Sequence, residues 1–138
     1  MKKKFICTIL CLILILSGCG RTMNKDQGKF YSFPEAIDQI EIIHKSVFEK
    51  IEYTIPATDE SKDEAIEAII DWFDSLDLEE CNQPDSVDGN EIYIFIINGE
   101  TAFTYDCHGS ENAFILIKDG YYKANNPSIP PIEKFRRK

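Results

Sequence analysis

Apolar and polar residues alternate along several short stretches of the chain, a pattern typical of β-strands with one buried face. The clearest stretch covers residues 50–55, where Ile51, Tyr53 and Ile55 alternate with polar neighbours. A weaker alternation over residues 40–44 precedes it, and a turn is expected between the two stretches, near Lys45 and Ser46. We therefore predict an N-terminal hairpin, which ends at the proline that follows Ile55.

The apolar spacing changes to three and four residues after residue 61, which predicts an amphipathic helix. Ser61 and Glu64 fit a capping box, in which the serine oxygen and the glutamate each accept a backbone amide of the first turn. The apolar stripe of this helix consists of Ala65, Ile66, Ile69, Ile70, Trp72, Phe73 and Leu76. One face of the helix is therefore expected to pack on the core, while the other meets water.

The C-terminal half predicts an antiparallel meander. Six consecutive apolar residues over 92–97 are followed by Asn98 and Gly99, and such a pair is a strong hairpin signal because its turn requires positive φ. Further strands are expected over residues 101–107, 113–117 and 121–123. The acidic stretch 77–90 is expected to be an exposed loop, since it contains a proline and a glycine.

These elements together predict an α+β fold. We expect an antiparallel sheet of about five or six strands, packed by one amphipathic helix, after a cleaved signal peptide. Residues 128–138 contain two prolines, which cannot donate to a sheet interior, and end in basic residues. This tail is expected to lie extended along the surface and to fray at its end.

The N-terminus carries a different pattern. Three lysines at positions 2–4 precede an apolar run over residues 5–16, and small residues follow before Cys19. A charged start, a short apolar core and small residues before the cleavage site are typical of a secretory signal peptide. The run is shorter than the roughly 20 apolar residues that a membrane-spanning helix needs. We expect residues 1–18 to be removed.

The motif Leu16-Ser17-Gly18-Cys19 resembles the lipobox of bacterial lipoproteins. The resemblance implies that Leu16, Ser17 and Gly18 are recognised by the signal peptidase, and that the thiol of Cys19 carries a diacylglyceryl group. Two acyl chains hold a protein stably on a bilayer, whereas one does so only marginally. The expected location is therefore the extracytoplasmic face of a cell membrane, with the lipid on Cys19 as the anchor.

The mature region resembles the small uncharacterised lipoproteins of Gram-positive bacteria, in its layout and in the run from Trp72 through Asn126-Pro127-Ser128. In that group a single domain follows a short tether, and the resemblance implies no catalytic motif. The expected domain organisation is a signal peptide over 1–18, a lipidated cysteine and flexible tether over 19–33, an α+β domain over 34–127, and a basic, proline-containing tail over 128–138.

The excess of acidic over basic residues indicates which class of partner is not expected. The chain of 138 residues has 15 basic and 24 acidic residues, and removal of the signal peptide takes away three lysines. The mature chain then has a net charge of about −12 and is long enough for one domain. An acidic surface repels phosphate backbones, so nucleic acid is not an expected partner.

Two of the five cysteines, Cys81 and Cys107, remain once the signal peptide and the lipidated residue are set aside. An even pair in an exported domain allows one disulfide. The alternative is two unpaired buried thiols, the usual state of free cysteine in a core. A reactive thiol requires a basic neighbour, and His108 is the residue adjacent to Cys107. Consecutive strand residues point to opposite faces, so these two do not form a catalytic pair.

The strand over residues 92–97 is apolar on both faces, but the sequence predicts only one helix to cover it. If the helix covers the face that contains Ile94, then Tyr93 and Phe95 need a second cover. Residues 30–33, the C-terminal tail or a second sheet are candidates for that cover. The alternative is that Tyr93 and Phe95 form an exposed aromatic patch that binds a partner.

No catalytic, metal-binding or cofactor motif is recognisable. The sequence contains no glycine-rich phosphate loop, and the acidic stretch lacks the alternating ligands of a calcium loop. We interpret the chain as a membrane-tethered, extracytoplasmic lipoprotein that acts as a non-enzymatic protein- or peptide-binding module, with an envelope protein or peptide as its partner. The alternative is a sensor or carrier that holds a small ligand between helix and sheet.

Overall fold

A computed structural model describes residues 30–55, 60–85, 90–108 and 111–138. The predicted signal peptide, the lipobox residues, Cys19 and most of the tether lie outside this part of the chain. The described elements are β1 (Ile40–Lys45), β2 (Lys50–Ile55), α1 (Lys62–Ser75), β3 (Leu78–Cys81), β4 (Glu91–Ile97), β5 (Glu100–His108), β6 (Asn112–Ile117), β7 (Gly120–Ala124) and β8 (Arg136–Arg137).

The α+β class is confirmed, but the predicted number of strands is wrong. Within the described residues, eight strands form one antiparallel sheet in the order β3-β7-β6-β5-β4-β1-β2-β8. The two additional strands are β3, in the stretch predicted as an acidic loop, and β8, in the predicted tail. Both are short edge strands, and charged residues supply most of their surface, so neither has the apolar alternation by which a strand is recognised.

The predicted Asn-Gly hairpin turn is confirmed between β4 and β5. Asn98 and Gly99 have φ values of 52° and 85°, as a two-residue hairpin turn requires. The side chain of Asn98 also holds the chain before β1: its Oδ1 accepts the backbone amide of Asp38 at 2.8 Å, and its Nδ2 donates to the carbonyl of Ala36 at 2.9 Å. One residue therefore turns the hairpin and fixes the N-terminal segment.

The helix α1 forms where the apolar stripe predicts it, but its first turn differs from the prediction. Ser61 is the N-cap and makes no side-chain capping hydrogen bond. The carboxylate of Glu64 pairs with Lys134, so the reciprocal capping box does not form. At the other end, Asn126 accepts the amide of Asp77 and donates to the carbonyl of Ser75 at 2.7 Å. The C-terminus of α1 is thus held by a residue from beyond β7.

The C-terminal tail is packed on the domain, and the prediction of a fraying end is wrong. We call residues 128–135 the strap. Pro130 within it is almost completely buried, and Phe135 at its end is 7% exposed. Beyond the strap, β8 pairs with β2, and the amide of Lys138 donates to the carbonyl of Glu52 at 2.8 Å. The tail is therefore part of the core and the last strand of the sheet.

Among the described residues, the helix and the terminal segments cover one face of the sheet, which we call the core face. Helix α1, the strap and the aromatic residues of the segment 30–37 all pack against it. Tyr31 and Phe33 make edge contacts with Phe73 of the helix and Phe103 of β5, with ring centroids 5.0 to 6.2 Å apart among these rings. Burial of these side chains holds the segment against the sheet.

Candidate functional site

Tyr93 and Phe95 lie on the core face, and the prediction that they form a binding patch is wrong. Their side chains are 2% and 0% exposed. The ring of Trp72 stacks on Phe95 with centroids 5.5 Å apart, so the helix covers this side of β4. Alternate positions of β4 are apolar on both sides, so the hydrophobic pattern could not indicate which side the helix would choose.

The opposite side of the sheet is apolar as well, and we call it the open face. The strand registers align one residue from each of five neighbouring strands in a continuous row: Ile43, Ile94, Thr104, Leu116 and Tyr121. The open face also includes Ile92 and Ile96 of β4 and Phe114 of β6. Each of these side chains is only half-buried. Among the described residues, the elements that cover the sheet pack on the core face.

A cavity of about 370 Å³ lies at one end of the open face, and we call it the Asp106 cavity. Its described lining comes from the connection between β3 and β4 and from the adjoining ends of β5 and β6. These residues are Pro84, Asp85, Asn90, Asp106, His108, Asn112 and Phe114. The cavity combines two carboxylates and two amides with an apolar wall.

One hydrogen bond joins two of the polar side chains that line this cavity. The side-chain nitrogen of Asn90 donates to Oδ1 of Asp106 over 2.6 Å. Burial raises the pKa of the Asp106 carboxyl, while the bond from Asn90 and the nearby His108 act in the opposite direction. The amide oxygen of Asn90 is buried and has no hydrogen-bond partner among the described residues. In this part of the chain no donor bonds the second oxygen of Asp106, which is the acceptor that remains for a ligand.

A second group of polar side chains lies at the edge of the core face. The imidazole of His44 stacks on the ring of Tyr93 with centroids 4.3 Å apart. The Tyr93 hydroxyl donates to Oε2 of Glu91 at 2.9 Å, and Nε2 of His44 lies 3.4 Å from the same oxygen. Burial, followed by the bond to Glu91, raises the pKa of Tyr93. These contacts join β1 to β4.

Cys107 faces Glu91 across the β4–β5 ladder, close to this group. Burial raises the pKa of its thiol to about 11, and the charges of Glu91 and Asp106 add to that effect. A thiol must lose its proton to act as a nucleophile. Cys107 is thus protonated at neutral pH, and the neighbouring acids oppose its activation. His108 next to it is exposed, on the other face of the strand.

The candidate disulfide between Cys81 and Cys107 is not formed, and both thiols are free. Cys81 is in β3 and Cys107 is in β5, with β7 and β6 between them. Three strand spacings amount to about 14 Å, whereas the Cα atoms of a disulfide lie within about 7 Å. Of the alternatives, unpaired thiols describe the structure; Cys107 is buried and Cys81 is half-buried.

Comparison of the chain with protein-family models, with curated proteins and with solved structures found no match. In the described ranges, no helix is long and apolar enough to cross a membrane. The same part of the chain contains no group of three or more histidine, cysteine or acidic side chains that could hold a metal ion. The function is therefore argued from the open face and the Asp106 cavity.

Proposed function

We propose that this protein is a lipid-anchored, extracytoplasmic binding module that docks a protein partner on the open face of its sheet. The resemblance of Leu16-Ser17-Gly18-Cys19 to a lipobox supports the anchor. The open face supports the binding role, because its apolar side chains lie on the side of the sheet away from α1. A binding module of this kind requires no catalytic residue.

The observation that carries the proposal is the row from Ile43 through Ile94 and Leu116 to Tyr121. With strands about 4.8 Å apart, this row is roughly 20 Å long, and Ile92 and Phe114 widen it along the strands. Each of these side chains is only half-buried, and the largest apolar patch that a monomer exposes is often functional. Tyrosine at the end of the row is a residue type enriched in protein interfaces.

The charges around the open face favour a protein partner. Lys45 and Lys123 lie in the same row as Asp106 and Glu79, so both signs occur beside the apolar centre. A mixed polar rim around an apolar centre is the arrangement of protein–protein interfaces. A surface that binds anionic lipid would instead need a cluster of basic residues.

The tether limits where the partner is found. Ten residues separate Cys19 from Phe30, and an extended chain of that length spans at most about 35 Å. A domain held by lipid on Cys19 therefore stays close to the membrane. The expected partner is a protein of the same cell envelope.

Site-specific photo-crosslinking in the source cells tests this proposal. A photoreactive amino acid at position 94 or 116 is expected to crosslink to one envelope protein, whereas the same group at Glu67, exposed on α1, is not. The substitution Leu116→Lys should remove the crosslink formed from position 94, while the thermal unfolding temperature shows that the domain remains folded. Equal crosslinking from positions 94 and 67 would contradict the proposed docking face.

A small-ligand sensor or carrier is the second candidate, and the Asp106 cavity favours it. The cavity volume of about 370 Å³ is near the lower end of the range for ligand pockets, about 300–1,000 Å³. It lies at the end of the open face, away from the interface between helix and sheet. This second function would be supported if one compound in a metabolite screen raised the unfolding temperature and the crosslinking experiment found no partner.

A further inference from the structure

We propose that the Asp106 cavity receives the guanidinium group of an arginine side chain that belongs to the docked partner. This inference rests on the proposed function and adds one chemical requirement to it. The partner must present an arginine next to the apolar residues that cover the open face. The observations that support this requirement are the acceptors of the cavity, its apolar wall and its position.

The lining of the cavity is rich in acceptors. Asp85 and Asp106 contribute carboxylates, and Asn112 contributes an amide. Among the described lining residues, the only basic side chain is His108, and none is lysine or arginine. A ligand that complements this site must therefore bring donors and positive charge. The acidic net charge of the chain favours the approach of such a group.

The orientation of the Asn90 side chain determines which oxygen of Asp106 remains available to a ligand. Its amide nitrogen faces Asp106, because rotating the amide by 180° would place two oxygens against each other. This orientation leaves the amide oxygen of Asn90 buried and without a partner among the described residues. The bond from Asn90 uses Oδ1 of Asp106, so among the described residues the second oxygen of that carboxylate remains for an N–H group of a ligand.

A guanidinium group matches the carboxylates of this cavity better than an ammonium group does. Its five N–H donors are held in a planar fork, so one edge can donate to a carboxylate and to a neighbouring oxygen at the same time. In the Asp106 cavity these acceptors are carboxylate oxygens of Asp106 and Asp85. An ammonium group is a more strongly hydrated point charge and has no such fixed geometry.

The apolar wall suits the rest of an arginine side chain. Pro84 and Phe114 line the cavity, and Phe114 also belongs to the open face. The methylenes of arginine pack on such surfaces, while its planar group is attracted to the face of an aromatic ring. The cavity and the open face therefore share one side chain.

The position of the cavity makes it an extension of the docking surface. Asp106 lies in register with Ile92 on one side and Phe114 on the other. The row that contains Ile94 and Leu116 is two residues away along these strands, a distance of about 7 Å. A partner that covers the row can therefore reach the cavity with one long side chain.

Binding of two matched amino-acid derivatives tests the inference on the full chain purified in non-ionic detergent. N-acetyl-arginine amide carries the guanidinium, and N-acetyl-citrulline amide has nearly the same shape without the charge. We expect the arginine derivative to bind at least about ten-fold more tightly, and to shift the NMR signals of the Asn90 side-chain amide. Equal affinity for the two derivatives, or binding that leaves Asn90 unaffected, would overturn the inference.

Asp106→Asn is the variant for this test, because it removes the charge and keeps the acceptor for Asn90. The affinity for the arginine derivative should fall about ten-fold, while the control Asp119→Asn, in an exposed turn, should leave the affinity unchanged. Retained affinity in Asp106→Asn would contradict the inference. Agmatine carries the same guanidinium group on a small free amine. Tighter binding of agmatine than of N-acetyl-arginine amide would contradict the inference, because it would indicate that the cavity binds a small metabolite in place of the partner's arginine.

Different experimental results would contradict the inference and the proposed function. If the crosslinks from positions 94 and 116 form while arginine and citrulline bind equally, the docking face stands and the arginine requirement is wrong. The arginine derivative could instead bind selectively while positions 94 and 116 crosslink no better than position 67. The proposed function would then be wrong, and so would the inference that the bound arginine belongs to a docked partner.

Discussion

The hydroxyl of Tyr105 makes two hydrogen bonds to the backbone of Ser128. It donates to the carbonyl of that residue at 2.9 Å and accepts its amide at 3.1 Å. The Ser128 side chain accepts the indole N–H of Trp72 at 3.0 Å. Strand β5 and helix α1 therefore hold the strap at the same residue, where a buried tyrosine satisfies both backbone groups.

Tyr105→Phe should lower the free energy of unfolding by about 2–4 kcal/mol, because it leaves both backbone groups of Ser128 without their partner. Urea unfolding followed by Trp72 fluorescence measures this change. The matched control is Tyr53→Phe, a half-buried position on β2. A loss of equal size in both variants would show that the Ser128 contact has no special importance.

Substitutions at Asn98 should separate its two roles. Asn98→Gly keeps the positive φ but loses the hydrogen bonds to Asp38 and Ala36, so we expect a loss of about 1–2 kcal/mol. Asn98→Ala should cost about 1 kcal/mol more, since a residue with a Cβ is disfavoured at φ of 52°. Thermal or urea unfolding gives both values; identical losses would mean that the backbone conformation contributes little.

Lys118 should be a position where glycine stabilises the fold. Its φ is 55°, and it is exposed in the turn between β6 and β7. Lys118→Gly relieves the left-handed strain, although glycine gains entropy in the unfolded chain. We expect a net gain of about 0.5–1 kcal/mol in unfolding experiments, with Lys123→Gly, in a strand, as a destabilising control. A loss at position 118 would contradict this expectation.

The charge of Asp106 should make stability depend on pH. Burial raises its pKa in the folded state, so the folded chain holds this proton more tightly than the unfolded chain does. The resulting stabilisation is present below the unfolded pKa and is lost as the pH rises through the folded pKa. Asp106→Asn should therefore be more stable than the native chain at pH 7, and the difference should shrink towards pH 3. A difference independent of pH would exclude this cause.

The two cysteines should differ in reactivity. Cys107 is buried and its pKa is raised to about 11, whereas Cys81 is half-buried and near the edge of the sheet. Iodoacetamide at pH 7.5 should label Cys81 slowly and Cys107 only after denaturation, as peptide mass spectrometry will show. Rapid labelling of Cys107 in the native chain, or a bond between the two cysteines without reductant, would contradict the structure.

The sequence predicted the elements whose formation depends on residues close to one another in the chain. The Asn98-Gly99 turn, the hairpin of β1 and β2, and the stripe on α1 all depend on neighbouring residues. Strand β8 depends instead on a partner more than 80 residues away, and it has only two residues, so no local pattern reveals it. The same reason explains the strap, whose contacts with Trp72 and Tyr105 join distant parts of the chain.

The proposed docking face lies on the opposite side of β4 from the candidate patch of Tyr93 and Phe95. The run over residues 92–97 indicated that one apolar face would lack a helical cover, which is what the described residues show. Which face remains open depends on how α1 packs, and Tyr93 and Ile94 are equally suited to a core. The Asp106 cavity could not be predicted, because its lining comes from β5, β6 and the chain before β4, and their alignment depends on strand registers that the sequence does not specify.

The pairing of β8 with β2 affects when the domain can fold. Contacts between residues far apart in sequence form slowly, since a long loop must close before they are gained. Here the contacts between Glu52 and Lys138 and between Glu64 and Lys134 join opposite ends of the domain. A chain synthesised from its N-terminus cannot complete this sheet until residue 137 has left the ribosome. The pairing of β2 with β8 is therefore among the last contacts that can form during synthesis.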